Sequence, residues 1–159
     1  MRAGSDCQMT SRQYAFLLLM LTGLFGFRVM AQLVQVWHPV DFLPPYSAWH
    51  SGALPYGWLV AAQGVILAAC LRIVWGVFTE TIAPSTQKGK ILFALGAIYL
   101  LGMCTRLFVG LTIAPDHYWF GATLPTVFHL VLASFIMVYG RFHCLASQVE
   151  PFIPQGSSQ

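Results

Sequence analysis

Four apolar stretches, at roughly 14–36, 54–78, 91–113 and 121–142, leave this chain few folds to choose from. Each is long enough to cross a bilayer as a helix, which takes about 20 residues. Leu, Ile, Val and Phe run round the whole circumference of each stretch rather than alternating. Membrane-barrel strands would be about 10 residues long with a period of two, so the pattern predicts helices. The charge supply agrees. Among 159 residues there are eight Lys and Arg and five Asp and Glu, while 57% are hydrophobic, against about 45–50% in soluble domains. So few charged side chains would not cover a soluble domain of this size. An ordinary soluble enzyme, a disordered tail and a disulfide-stapled secreted module are thereby excluded. A scattered net charge of +3 offers no basic face for nucleic acid. The expectation is an all-α polytopic membrane protein: one four-span domain over 1–159, folded as a four-transmembrane-helix bundle.

The connections orient it. Arg2 and Arg12 precede the first span, Lys88 and Lys90 lie between the second and third, and Arg141 closes the fourth. The connections 37–53 and 114–120 hold no Lys or Arg, only Asp41, Asp116, His38, His50 and His117. Basic residues stay on the cytoplasmic side, so both termini are expected inside, in a multi-pass protein of the cell (inner) membrane. Trp37, Tyr46, Trp49, Tyr56, Trp58, Tyr118 and Trp119 belt the outer side and Tyr14, Trp75 and Tyr139 the inner one, as amphipathic rings do. A cleaved leader is the competing reading of the N-terminus, with Val29-Met30-Ala31 as the cleavage site. The apolar pattern continues past Ala31 through Leu33, Val34 and Val36, which favours a retained first span.

Polar residues inside the spans carry the functional information. Arg28, Gln63, Arg106 and His129, one per span, each fall about 10–12 Å below the outer boundary at 1.5 Å per residue. An arginine near a span centre costs roughly 2.5–3.5 kcal/mol to insert, and each Leu or Ile returns only about 0.3–0.6. Such side chains therefore face the bundle interior, pair, or snorkel outward. Arg28, Gln32 and Gln35 follow i, i+4, i+7 and form one polar stripe. Gly102 and Gly110 flank Arg106 at i−4 and i+4, leaving space for a neighbour or a ligand. Arg72, nearer the inner end, is expected to snorkel and is assigned no role.

Two readings of the arginines stand side by side. In one, Arg28, Gln32, Gln63, Arg106 and His129 line a pocket open to the outside that accepts an anionic or carbonyl-bearing ligand, since a guanidinium binds paired oxygens at any relevant pH. In the other, the loop carboxylates Asp41 and Asp116 fold over the mouth as counter-ions. His129 is a packing residue, a ligand hydrogen-bonder such as a quinone donor, or a metal or haem ligand. The spans supply no second histidine for haem, and His38, His50 and His117 show no metal-ligand spacing. Cys7, Cys70, Cys104 and Cys144 form no CxxC, so a disulfide relay lacks its usual residues. No catalytic constellation and no metal site can be identified. The 37–53 loop, rich in Pro and aromatic residues, is expected to cap the bundle.

The halves look alike. Each carries an Arg in its first span, then a loop, then a Gly-Ala step leading to Leu-Pro: Gly52-Ala53-Leu54-Pro55 and Gly121-Ala122-Thr123-Leu124-Pro125. Two parallel hairpin repeats would place Arg28 and Arg106 facing a shared axis. The run Leu100-Leu101-Gly102-Met103-Cys104-Thr105-Arg106-Leu107-Phe108, with its Pro-containing loop, resembles the small DoxX-like and related four-helix membrane families. That resemblance implies a compact four-helix bundle, sometimes an accessory subunit of quinone-linked oxidation. The functional expectation is a membrane accessory subunit or ligand-binding module. Its alternatives are a quinone-interacting redox subunit and a small oligomeric transporter. The bilayer is the evident partner, with a membrane-complex subunit or a second copy beside it; quinone is the one cofactor considered.

Overall fold

The computed structural model describes residues 10–45, 49 and 55–146. Four helices account for most of them: α1 (Ser11–Trp37), α2 (Tyr56–Phe78), α3 (Thr86–Thr112) and α4 (Thr123–Ala146). The described residues contain no strand. Every helix is long and apolar enough to cross a membrane. Many large apolar side chains point outward, among them Phe27 (62% exposed), Val65 and Ile98 (both 71%). On a soluble protein so much exposed apolar surface would aggregate; against acyl chains it is the ordinary outer face.

Two ends extend beyond expectation. α3 begins at Thr86 rather than about 91, and α4 runs to Ala146 rather than about 142. Exposed Lys88 and Lys90 occupy the extra turn of α3, and exposed Arg141 stands just before that of α4. A 27-residue helix spans about 40 Å and outruns the roughly 30 Å hydrocarbon layer. Charged side chains therefore fit its ends without interrupting the backbone ladder. α1 passes through Ala31 without a break. Its first turn is closed by a capping box, in which Thr10 and Gln13 each bond the other's backbone N–H. Before α2, Pro55 occupies the cap position itself.

The end of α2 yields a stability prediction. Thr81 N–H bonds Gly76 O at 3.0 Å and Glu80 N–H bonds Val77 O at 3.3 Å, the paired bonds of a Schellman motif. That motif needs a left-handed residue, and here it is Glu80, with φ 55°. Glycine occupies such a position without the Cβ penalty. Glu80→Gly is expected to stabilise the protein by up to about 1 kcal/mol, read as a rise in the thermal midpoint in detergent. A fall would mean that the Glu80 side chain holds the turn.

The helices pack in the order α2–α1–α4–α3. α1 approaches α2 and α4, and among the described residues α4 alone backs α3. α1 buries the most of its length, through Tyr14, Leu18, Thr22, Phe25, Val29 and Gln32, at the three-to-four-residue spacing of one helical face. The four-helix bundle is thus laid out so that α4 neighbours both α1 and α3. Close α3–α4 contact is permitted by glycine. A Cβ on Gly140 would lie 2.7 Å from Phe93 N, and one on Gly96 would lie 2.7 Å from Met137 Cγ. Lipid tails are as apolar as leucine, so such surface fit, rather than hydrophobic expulsion, holds membrane helices together.

The interior divides along its length. Toward the end carrying Lys88 and Arg141, the core is apolar: Tyr14, Leu18, Cys70, Val74, Phe135 and Phe142 form one cluster. Tyr14 and Phe142 meet edge to face with centroids 5.8 Å apart. His143, buried nearby, accepts a bond from Ser85 N–H at 3.2 Å and ties the start of α3 to α4. Toward the tryptophan-bearing loops the buried side chains become polar.

Candidate functional site

That polar half contains the residues singled out from the sequence. On α1, Arg28, Gln32 and Gln35 are all buried, so the i, i+4, i+7 stripe does face inward. Gln63 of α2, also buried, donates through Nε2 to Gln32 Oε1 at 3.3 Å. The pairing leaves Gln32 Nε2 and Gln63 Oε1 buried with no hydrogen-bond partner. Gln35 turns the other way. Its amide accepts from Val40 N–H at 3.0 Å and donates to Val40 O at 3.5 Å, fastening the chain after α1 onto the helix.

Both arginines are held by tryptophan. Arg28 Nη2 donates to Trp49 O at 3.3 Å, and its guanidinium lies 5.4 Å from the Phe128 ring centre on α4. Trp49 itself is buried, stacks on Phe128 at 6.4 Å and donates from Nε1 to Pro44 O at 2.8 Å. This part of the 37–53 loop does cap the helices. Arg106 Nη2 donates to Trp119 O at 2.6 Å, with its guanidinium 4.2 Å from the Trp119 ring centre. Such contacts lower the cost of a buried cation because ring face and carbonyl both present negative potential. In each case Nε remains buried without a partner.

The loop that brings Trp119 to Arg106 is shaped by its own residues. His117 Nδ1 accepts from Trp119 N–H at 3.2 Å and Phe120 N–H at 3.4 Å. Gly110 lets the Phe120 carbonyl rest where a Cβ would stand, and Gly121 does the same for the Pro115 carbonyl. Only glycine fits at either place. On α4, His129 Nδ1 pairs with Tyr99 Oη of α3 at 2.7 Å. His129 follows Phe128, so one turn of α4 touches Arg28 on one side and Tyr99 on the other. The polar residues thus run across the row as Gln63–Gln32, Arg28–Phe128, His129–Tyr99 and Arg106–Trp119.

Several expectations change. Asp41 and Asp116 are exposed, and among the described residues neither carboxylate pairs with an arginine. Backbone carbonyls bind the guanidiniums instead, because the loop tryptophans insert while the aspartates stay in water. Gly102 is exposed with nothing within 4 Å of its would-be Cβ; of the two glycines flanking Arg106, only Gly110 makes room. Arg28 and Arg106 do not meet across a shared axis, since α4 lies between their helices. Arg72 is exposed and lines a groove between α1 and α2. Arg2, Cys7, Tyr46, His50 and the Gly52-Ala53-Leu54 step lie outside the described residues.

Tyr99, Phe128 and the carbonyls of Trp49 and Trp119 were not marked by sequence alone. Tyr99 had a signal, since it lies seven residues before Arg106 and so on the same helical face. The carbonyls had none, because any residue supplies one. Among the described residues no three His, Cys, Asp or Glu side chains converge to hold a metal ion. Cys70 and Cys104 are free thiols. No protein-family model, curated protein or solved structure matches this chain.

Proposed function

We propose that the protein is a membrane ligand-binding module, or an accessory subunit of a larger membrane assembly, whose polar strip receives an oxygen-bearing head group. One observation carries this reading: the strip holds unused hydrogen-bonding capacity where none should be wasted. Gln32 Nε2, Gln63 Oε1 and the Nε atoms of Arg28 and Arg106 are buried and unpaired. A buried unpaired polar group costs about 1–3 kcal/mol, so four of them call for a partner. On the α1–α2 side the Nε of Arg28 and the Nε2 of Gln32, two donors, and Gln63 Oε1, one acceptor, suit a carboxylate, a phosphate or a carbonyl flanked by hydroxyl. The resemblance to DoxX-like families supports the accessory-subunit form.

A quinone is the second reading, favoured by the Tyr99–His129 pair at 2.7 Å. With Nδ1 committed to the tyrosine, the other ring nitrogen of His129 would donate to a quinone carbonyl, and a partner subunit would supply the electron carrier. An oligomeric transporter has no comparable support, because its path would require further copies.

The test exploits the amide pair. Gln32→Leu alone leaves Gln63 stranded and is expected to cost about 1–3 kcal/mol. The double variant Gln32→Leu/Gln63→Leu removes both partners and should restore stability nearly to the starting level. Solvent extracts of purified wild-type protein and double variant are then compared by mass spectrometry. The reading expects a co-purifying amphiphile present with the wild type and depleted at least tenfold with the variant. Equal extracts would mean that the glutamines only pack, and quinone in the wild-type extract would select the second reading.

A further inference from the structure

At the opposite end of the molecule from the polar strip, α1 and α2 enclose a groove of about 850 Å³. This is within the range of about 300–1,000 Å³ found for sites that hold small amphiphiles. Its floor is Ala15 and Val74, both buried; the small Ala15 side chain lets the groove deepen there. Its walls are Phe16, Leu19, Trp75 and Phe78, all exposed beyond the groove. The walls are apolar apart from two cations, Arg12 in the first turn of α1 and Arg72 of α2.

The two arginines decide the occupant. Arg72 lies six residues before the end of α2, about 9 Å inside it, where an unpaired cation is costly. Arg12 and Arg72 are exposed, and among the described residues neither makes an ion pair. A second copy of this chain would bring further apolar surface, and its one described carboxylate at this end, Glu80, stands in the turn after α2 rather than within a span. A neutral lipid would fill the groove but leave both charges facing acyl chains. We propose that the groove holds one anionic phospholipid from the leaflet on the basic side. Its phosphate is bound between the Arg12 and Arg72 guanidiniums, and an acyl chain lies along Phe16, Leu19 and Trp75. Guanidinium forks match phosphate oxygens in pairs, and Trp75 is the amphipathic ring expected at the boundary between head group and chain. This site is separate from the polar strip and does not depend on the function proposed for it.

Trp75 supplies the readout. The full chain is reconstituted into phosphatidylcholine vesicles in which a fixed fraction of lipid carries brominated acyl chains, on either phosphatidylglycerol or phosphatidylcholine. The Trp75 signal is isolated by difference against Trp75→Phe. Brominated phosphatidylglycerol is expected to quench Trp75 with about tenfold higher apparent association than brominated phosphatidylcholine, as two nearby basic side chains provide. Arg12→Gln/Arg72→Gln should bring the two lipids level while far-ultraviolet circular dichroism remains unchanged. Arg141→Gln, which alters an exposed cation on α4, should preserve the preference. Equal quenching by both lipids in the wild type would overturn the proposal, making the groove ordinary lipid-facing surface. A preference that survives the double variant, or is lost in Arg141→Gln, would assign it to general charge. No quenching by either lipid would mean that protein fills the groove.

Discussion

Gly140→Leu detaches α3 from α4, and even Gly140→Ala lowers stability by about 2 kcal/mol. The reason is the identity of the neighbours. A Cβ at Gly140 would meet Phe93 N at 2.7 Å, Gly89 O at 3.0 Å and Phe93 Cα at 3.1 Å. All three are backbone atoms, which cannot rotate aside as a side-chain terminus would. Overpacking of this kind costs about 1–3 kcal/mol, and occasionally more. Here the whole α3–α4 contact must widen to relieve it. α3 has no other close helical neighbour among the described residues, so a widened contact leaves it held only by its connections. Gly102→Ala is the matched control, since that position is exposed and open. Alanine is favoured there by up to about 1 kcal/mol on helix propensity. Thermal midpoints in detergent should move in opposite directions for the two alanine variants. Equal shifts would show that glycine matters here only through propensity.

Arg106→Leu is expected to spare the fold and free the loop. Removing the guanidinium forfeits the bond to Trp119 O and the contact with its ring. A bond from a charged donor contributes about 1.5–3 kcal/mol, and a cation–π contact with a partly exposed ring about 0.5–1. Leucine returns about 2.5–3.5 kcal/mol by removing a cation from the bilayer. The terms nearly cancel in overall stability but not locally, because the loss falls on residues 113–122 and the gain on insertion. Amides of that loop should exchange at least tenfold faster, with Trp119 emission shifted to the red. Arg106→Lys, which keeps charge without the planar fork, should resemble leucine. Arg28→Leu is expected to cost more. It leaves the carbonyl of Trp49, a residue only 3% exposed, without its donor, whereas Trp119 is 38% exposed and open to water. The ordering Arg28→Leu below Arg106→Leu in thermal midpoint tests the argument; the reverse order would refute it.

Much of this site was legible in the chain, for a physical reason. A polar side chain in an apolar helix has few destinations, so Arg28, Gln32, Gln63, Arg106 and His129 could be singled out by insertion cost alone. A common depth for Arg28, Gln63, Arg106 and His129 is the expectation from counting residues along rigid helices. Partners were another matter. Asp41 and Asp116 were the natural choice on charge. The guanidiniums instead took carbonyls, which every residue carries and no composition reveals. Arg72 by itself reads as a snorkelling side chain, because its neighbour in the groove, Arg12, lies sixty positions earlier in the chain.

Four spans and an inward-facing polar layer were determined by sequence alone, because both follow from the transfer free energy of single side chains, which depends on type and position along a helix. The order α2–α1–α4–α3, the tryptophan carbonyls on the arginines and the basic groove between α1 and α2 were decided only by tertiary structure. In a bilayer, helices find neighbours by the fit of their surfaces rather than by escape from water. Fit depends on which glycine meets which backbone, as at Gly140 and Phe93, and that is a property of two helices together.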